Sequence, residues 1–188
     1  MRKLLCLCMS ASLLILFTLA GCSGSSTQSP QKVVASFLDT CQKGDLEAAQ
    51  KYTVGQDTDF LNENNPGTPA FVEEMLSKLT YGNISESIDG EVAHVNLEIT
   101  NVNMVVLMSS LLSEMIGLAF SGDSSEDYDA VMEKRISEMI NSSDAVKITT
   151  KVDVELTKVD SQWKIDPNDE LINAMFGGML DFANAWDS

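Results

Sequence analysis

The sequence predicts an α+β domain: one antiparallel sheet of about four strands, wrapped by helices, behind an export signal. Two observations carry the sheet. Apolar and polar residues alternate from 83 to 102 and again from 146 to 165, and each run is broken by a short polar turn, the pattern of a β-hairpin. The third observation is that the stretches before, between and after these runs follow a period of 3.6, so helices precede, separate and follow the hairpins. Hairpins segregated from helices build a single sheet with helices on it.

The front of the chain is read first. Arg2 and Lys3 precede an apolar run from Leu4 to Ala20, the charge and length of a signal peptide and slightly short of a comfortable membrane span. Leu19-Ala20-Gly21-Cys22 follows and resembles the lipobox of bacterial lipoproteins. That resemblance implies a signal peptide over 1–21, cleavage before Cys22, and transfer of a diacylglyceryl group to the Cys22 thiol. Further acylation of the palmitate type would make the anchor stable, because two or more chains exceed the marginal hold of one. An ordinary secretory signal or a retained helix is the alternative. Residues 22–30 then form the lipidated cysteine and a flexible Gly/Ser tether with a reach on the order of 15 Å, and 31–188 form one domain. The expected address is the extracytoplasmic face of a cell membrane. Of the four cysteines, Cys6 and Cys8 belong to the signal and Cys22 to the anchor. Only Cys41 remains, which leaves no intramolecular disulfide; its spacing with Val34, Phe37 and Leu38 places it in a core.

Charge narrows the function classes. The chain carries a formal −16, and without Arg2 and Lys3 the part from Cys22 onward carries −18. Such a surface excludes nucleic-acid binding, which needs clustered Lys and Arg, and repels anionic headgroups, so lipid alone would hold the protein to a membrane. No cofactor and no metal are expected. The acidic residues Asp123, Glu126, Asp127 and Asp129 lack the glycine and the closing glutamate of a calcium loop and read as a helix's acidic first turn.

The elements follow in order. Ser29-Pro30 caps and opens a helix whose Val33, Val34, Phe37, Leu38 and Cys41 share a face, ended by Gly44. Asp45 caps a short helix through Tyr52, with Leu46, Ala49 and the Tyr52 ring inward. Residues 54–67 read as a loop, and Thr68-Pro69 opens a third helix with Phe71, Met75, Leu76 and Leu79 on one side. Strands from Asn83 to Asp89 and from Glu91 to Val102 flank an Asp89-Gly90 turn. Val95, Leu97 and Ile99 point one way, and His94, Asn96, Glu98 and Thr100 the other. Asn103 caps an apolar helix with a polar stripe at Ser109, Ser110, Ser113, Glu114 and Gly117. This helix reads as largely buried or as offering an apolar face to a partner; a second membrane span is the alternative, opposed by Glu114 and the serines. Ser124 or Ser125 caps a helix bearing Tyr128, Val131, Met132, Ile136, Met139 and Ile140. A strand follows with Val146, Ile148, Thr150, Val152, Val154 and Leu156 inward, then an Asp160-Ser161 turn and a strand bearing Trp163 and Ile165. Asp166-Pro167-Asn168-Asp169 starts a last helix through Phe182, which Gly177-Gly178 would break or kink.

The stretch "SPQKVVASFLDTCQKGDLEAAQKYT" resembles the opening of the cystatin-like cone fold shared with nuclear transport factor two. "VELTKVDSQWKID" is similar to the closing hairpin of that superfamily, which Gram-positive lipoproteins often carry. The resemblance implies a cone of antiparallel sheet wrapped by helices, here with two helices inserted between the hairpins and a C-terminal helix added, and in the superfamily's enzymes an Asp, His or Tyr inside the cone acts as general base. The candidates here are His94, Tyr81 and Asp153, which would make an isomerase- or cyclase-like enzyme the alternative function. No acid stands at motif spacing to a base, so no residue is assigned as catalytic. The first expectation is therefore a non-catalytic binding or interaction module, whose partner would be an apolar ligand or another envelope protein. Methionines at 104, 108, 115, 132, 139, 175 and 179 supply adaptable apolar surface for either.

Overall fold

The computed structural model describes residues 28–55, 71–121 and 128–186. The signal peptide, the lipobox Leu19–Cys22, most of the tether, the 56–67 loop, the Thr68-Pro69 helix start, the cap at Ser124 or Ser125 and the acidic residues Asp123, Glu126 and Asp127 lie outside the described residues.

Helix α1 (Pro30–Gln42) begins at the proline expected there and buries Val33, Val34, Phe37, Leu38 and Cys41. Each buried side chain of this size contributes about 1.5–3 kcal/mol. That sum far exceeds the roughly 1 kcal/mol at stake in an N-cap, so α1 stands on its packed face. The capping itself departs from expectation. Ser29 makes no side-chain cap bond; instead Oε2 of Glu86, far off in the sequence, accepts the Gln31 N–H at 2.8 Å. Gly44, with a φ of 77°, turns the chain into α2 (Leu46–Gln50), where the Asp45 carboxylate accepts the Ala48 N–H at 3.0 Å. Helix α3 (Phe71–Lys78) buries Val72, Met75 and Leu76.

Strands β1 (Thr80–Asp89), β2 (Val92–Val102), β3 (Lys147–Val159) and β4 (Gln162–Ile165) form one antiparallel sheet in that order. The α+β class and the two hairpins are as the sequence predicts. Strand β1 starts three residues early, so Tyr81 belongs to the strand. The β1–β2 turn is Gly90-Glu91, one residue later than expected, because the positive φ falls on Gly90 (64°). Val146 precedes β3 and is exposed instead of facing the core. A bulge between Gly82 and Ser85 puts Asn83 at a φ of 52°, the re-aiming and twisting that a bulge brings to an edge strand.

Between the hairpins run α4 (Met104–Ser121) and α5 (Tyr128–Asn141), and after β4 come α6 (Asp169–Met175) and α7 (Met179–Trp186). The last helix is broken into two at Gly177-Gly178, the interruption the sequence offered there. Its cap also moves: the side chain of Asn168, not Asp166, accepts the Leu171 N–H at 2.8 Å.

Two apolar clusters result. In the first, Ala93, Val95, Leu97 and Ile99 of β2 and Val152, Val154 and Leu156 of β3 meet α1, with Trp163 and Ile165 closing one edge and Leu171, Ala174 and Met175 of α6 another. In the second, Met104, Leu107 and Leu111 of α4 pack on Ile136 and Ile140 of α5, on Met75 and on Val102. Asn101 stands between them, fully buried. Its Nδ2 donates to the carbonyls of Met75 (3.0 Å) and Met175 (2.6 Å), and its Oδ1 accepts the Val102 N–H (2.7 Å). One amide thereby ties the ends of α3 and α6 to the end of β2 with its own polar atoms paired.

Candidate functional site

The sheet separates the three residues singled out as possible bases. Tyr81 packs against the first cluster, beneath α1. Its hydroxyl donates to Oδ1 of Asp39 at 2.8 Å. Partial burial and then that carboxylate push the phenol up to about 12, so Tyr81 is a neutral strut between β1 and α1. Cys41 is fully buried in the same cluster, and burial pushes its thiol up to about 12. It is a core side chain without thiolate character at neutral pH.

His94 and Asp153 lie on the opposite face. Pairing of β2 with β3 sets His94 against Glu155 and Asn96 against Asp153, and the diagonal contact brings His94 Nδ1 within 3.3 Å of Asp153 Oδ1. Their side chains are 44% and 50% exposed, so the pair sits in water on an open strand surface. Beside it runs a shallow depression of about 330 Å³ lined by Asn83, Asn96, Glu98, Lys151, Asp153 and Glu170. Asn83, re-aimed by the bulge, donates its Nδ2 to Glu98 Oε2 at 2.6 Å. His94 does not line this depression, and its Asp153 is turned to His94 while Asn83 and Glu98 pair with each other. Among the described residues no group of His, Cys, Asp and Glu could hold a metal ion.

A different chemistry lies on the helical lobe. Helix α4 is divided lengthwise: Met104, Leu107 and Leu111 are buried, while Val106, Leu112, Met115 and Ile116 are exposed. The serines expected to form a polar stripe satisfy themselves. The hydroxyls of Ser109, Ser110 and Ser113 donate to the carbonyls four residues back, at 2.7, 2.9 and 3.0 Å, which leaves the neighbouring apolar side chains to dominate that surface. Met108, Leu111, Leu112 and Met115 of α4, Met132 of α5 and Phe182 of α7 line a hollow of about 180 Å³, almost wholly apolar. A second hollow of about 230 Å³ adjoins it between α4 and α5. There Arg135 donates through Nε and Nη2 to both carboxylate oxygens of Glu114, each at 2.7 Å, and through Nη1 to Glu138 at 3.2 Å. The hydrogen bond to Arg135 holds the Glu114 carboxyl below its ordinary range.

Sequence reasoning placed an apolar face on α4 and named the methionines. It missed Asp39, Glu86 and Asn101, which act through tertiary hydrogen bonds with no local signature. No described helix is long and apolar enough to cross a membrane. No protein-family model and no curated protein matches the chain. Among solved structures it is similar to that of a "putative lipoprotein", YcdA of Bacillus subtilis, at 18% identity and a TM-score of 0.37, over 80% of this chain and 47% of that one, so this chain spans about half the length of that protein.

Proposed function

We propose that the protein is a lipid-anchored extracytoplasmic lipoprotein whose folded part is a non-catalytic binding module working through the hollow of α4, α5 and α7. The observation that carries the reading is the exposed apolar side of α4. Leu112 and Met115 are 40% and 39% exposed and line a hollow with Met108 and Met132, in a strongly acidic chain. An apolar patch of this kind, rimmed by polar residues, marks an interaction site. The anchor rests on Leu19-Ala20-Gly21-Cys22 behind the signal-like run. The cystatin-like cone is supported by α1 lying across the inner face of the sheet.

The enzymatic alternative finds less support. A base in a cone fold works from the inner face, where side chains of α1 are packed. His94 and Asp153 lie on the other face, half exposed among the described residues, where water reaches any reacting group.

Two measurements test the reading. Tritiated palmitate should label the wild-type protein and not Cys22→Ala; equal labelling would refute the anchor. In the lipidated protein held in phosphatidylcholine nanodiscs, photoreactive decanol should cross-link to α4 and α7, and Leu112→Asn should abolish that. Cross-links scattered over the surface, or unchanged in the variant, would refute the site.

A further inference from the structure

Resting on that reading, we infer that the occupant of the hollow is a cationic amphipathic helix of another extracytoplasmic protein, bound at the end of the domain remote from the tether. Shape is the first argument. Met108, Leu112 and Met115 stand at i, i+4 and i+7 on α4, the first half-buried and the other two exposed, so an apolar strip runs along two turns of helix with Met132 and Phe182 beside it. A strip of this length between helices is the surface that helix-in-groove recognition uses.

Charge is the second. Glu114, Glu133, Glu138 and Asp181 lie on the helices that form the hollow. Arg135 is bound to Glu114 and Glu138 and Lys134 lies 3.8 Å from Glu138, so these two cations offset those two acids and the local excess is Glu133 and Asp181. The chain from Cys22 onward carries −18. That field draws a basic partner and opposes a second copy of the same chain.

Position is the third. The tether enters α1 where Gln31 meets Glu86, close to the β1–β2 turn. The helical lobe springs from the other end of the sheet, at Val102 and Lys147. From Glu86 to Thr80 is about 20 Å of strand, which sets the hollow away from the bilayer to which the tether would lead.

The test uses the lipidated protein in phosphatidylcholine nanodiscs and two fluorescent synthetic helices of about five turns, one of Leu and Lys, the other with Glu for every Lys. The Lys helix should bind at least about tenfold more tightly than the Glu helix, by an amount that shrinks as salt rises. Leu112→Asn should weaken its binding about tenfold, while Val159→Asn, an exposed position at the other end of the sheet, should leave it unchanged. Both positions are exposed, so both variants should fold. Equal binding of the two helices, or binding indifferent to Leu112→Asn, overturns the inference. If decanol cross-links to α4 while neither helix binds, this inference fails and the binding module stands; if decanol also fails, both fall. Cross-linking of α4 to a photoreactive phosphatidylglycerol in the nanodisc would assign the hollow to the bilayer and overturn it as well.

Discussion

Gly177 lies against the junction of β2 and α4, at Val102 and Met104. Its φ is 58°, its carbonyl accepts the Met104 N–H at 2.8 Å, and a Cβ built on it would fall 1.8 Å from the Val102 carbonyl oxygen. Backbone cannot yield as a side chain can, so Gly177→Ala must displace either α6 or the end of β2. The expected loss is about 3 kcal/mol or more. Gly44 supplies the control. It also has a positive φ, 77°, but nothing lies within 4 Å of its Cβ position, so Gly44→Ala should cost only the conformational strain, roughly 1 kcal/mol. Urea unfolding of the two variants measures both, and equal midpoints would mean that the close approach at Val102 does not govern the site. The Gly177-Gly178 pair was legible in the sequence as an interruption of a helix. That it is a contact point was not, because Val102 is distant in the chain.

Among the elements, those fixed by local chemistry were the legible ones. Alternation in 92–102 and 147–159 gave the central strands, and Asn103 caps α4 as its position suggests, accepting the Val106 N–H at 3.2 Å. The start of α1 was legible only in position. Ser29-Pro30 marks the right place, but the group that satisfies the helix end comes from β1, because the strand's twist and register bring Glu86 there. An acceptor supplied across the fold has no sequence spacing to betray it. Glu86→Ala should therefore lower stability by about 0.5–1 kcal/mol, the range of an N-cap helped by the helix dipole, and Ser29→Ala should be close to neutral. Thermal melts of the pair decide the matter, and a larger loss from Ser29→Ala would show that the local cap prevails. The candidate site divides the same way. The period of α4 announced an apolar face, whereas which half of it stays uncovered depends on where α5 and α7 pack.

At the scale of the whole molecule, two clusters of unequal kind share one chain. Strands β2 and β3 are paired residue for residue from Val92–Thr157 to Val102–Lys147 and backed by α1. Among the described residues the lobe of α4 and α5 has a smaller core, and it joins the sheet through Asn101, Val102, Met75 and the turn at Gly177. Regions with fewer buried apolar contacts open at lower free energy than the global transition. Amides of α4 and α5 should therefore exchange hydrogen faster than those of β2 and β3. Leu111→Ala sharpens the test, since Leu111 is buried only in the lobe. Losing its side chain costs about 2–3 kcal/mol, which should speed exchange in the lobe by roughly 30- to 140-fold and leave the β2 and β3 amides unchanged. Acceleration of the strand amides by the same factor would make the protein a single cooperative unit. A lobe that opens by itself matters for the proposed site, because methionine side chains at 108, 115 and 132 can then repack around an incoming helix without disturbing the sheet.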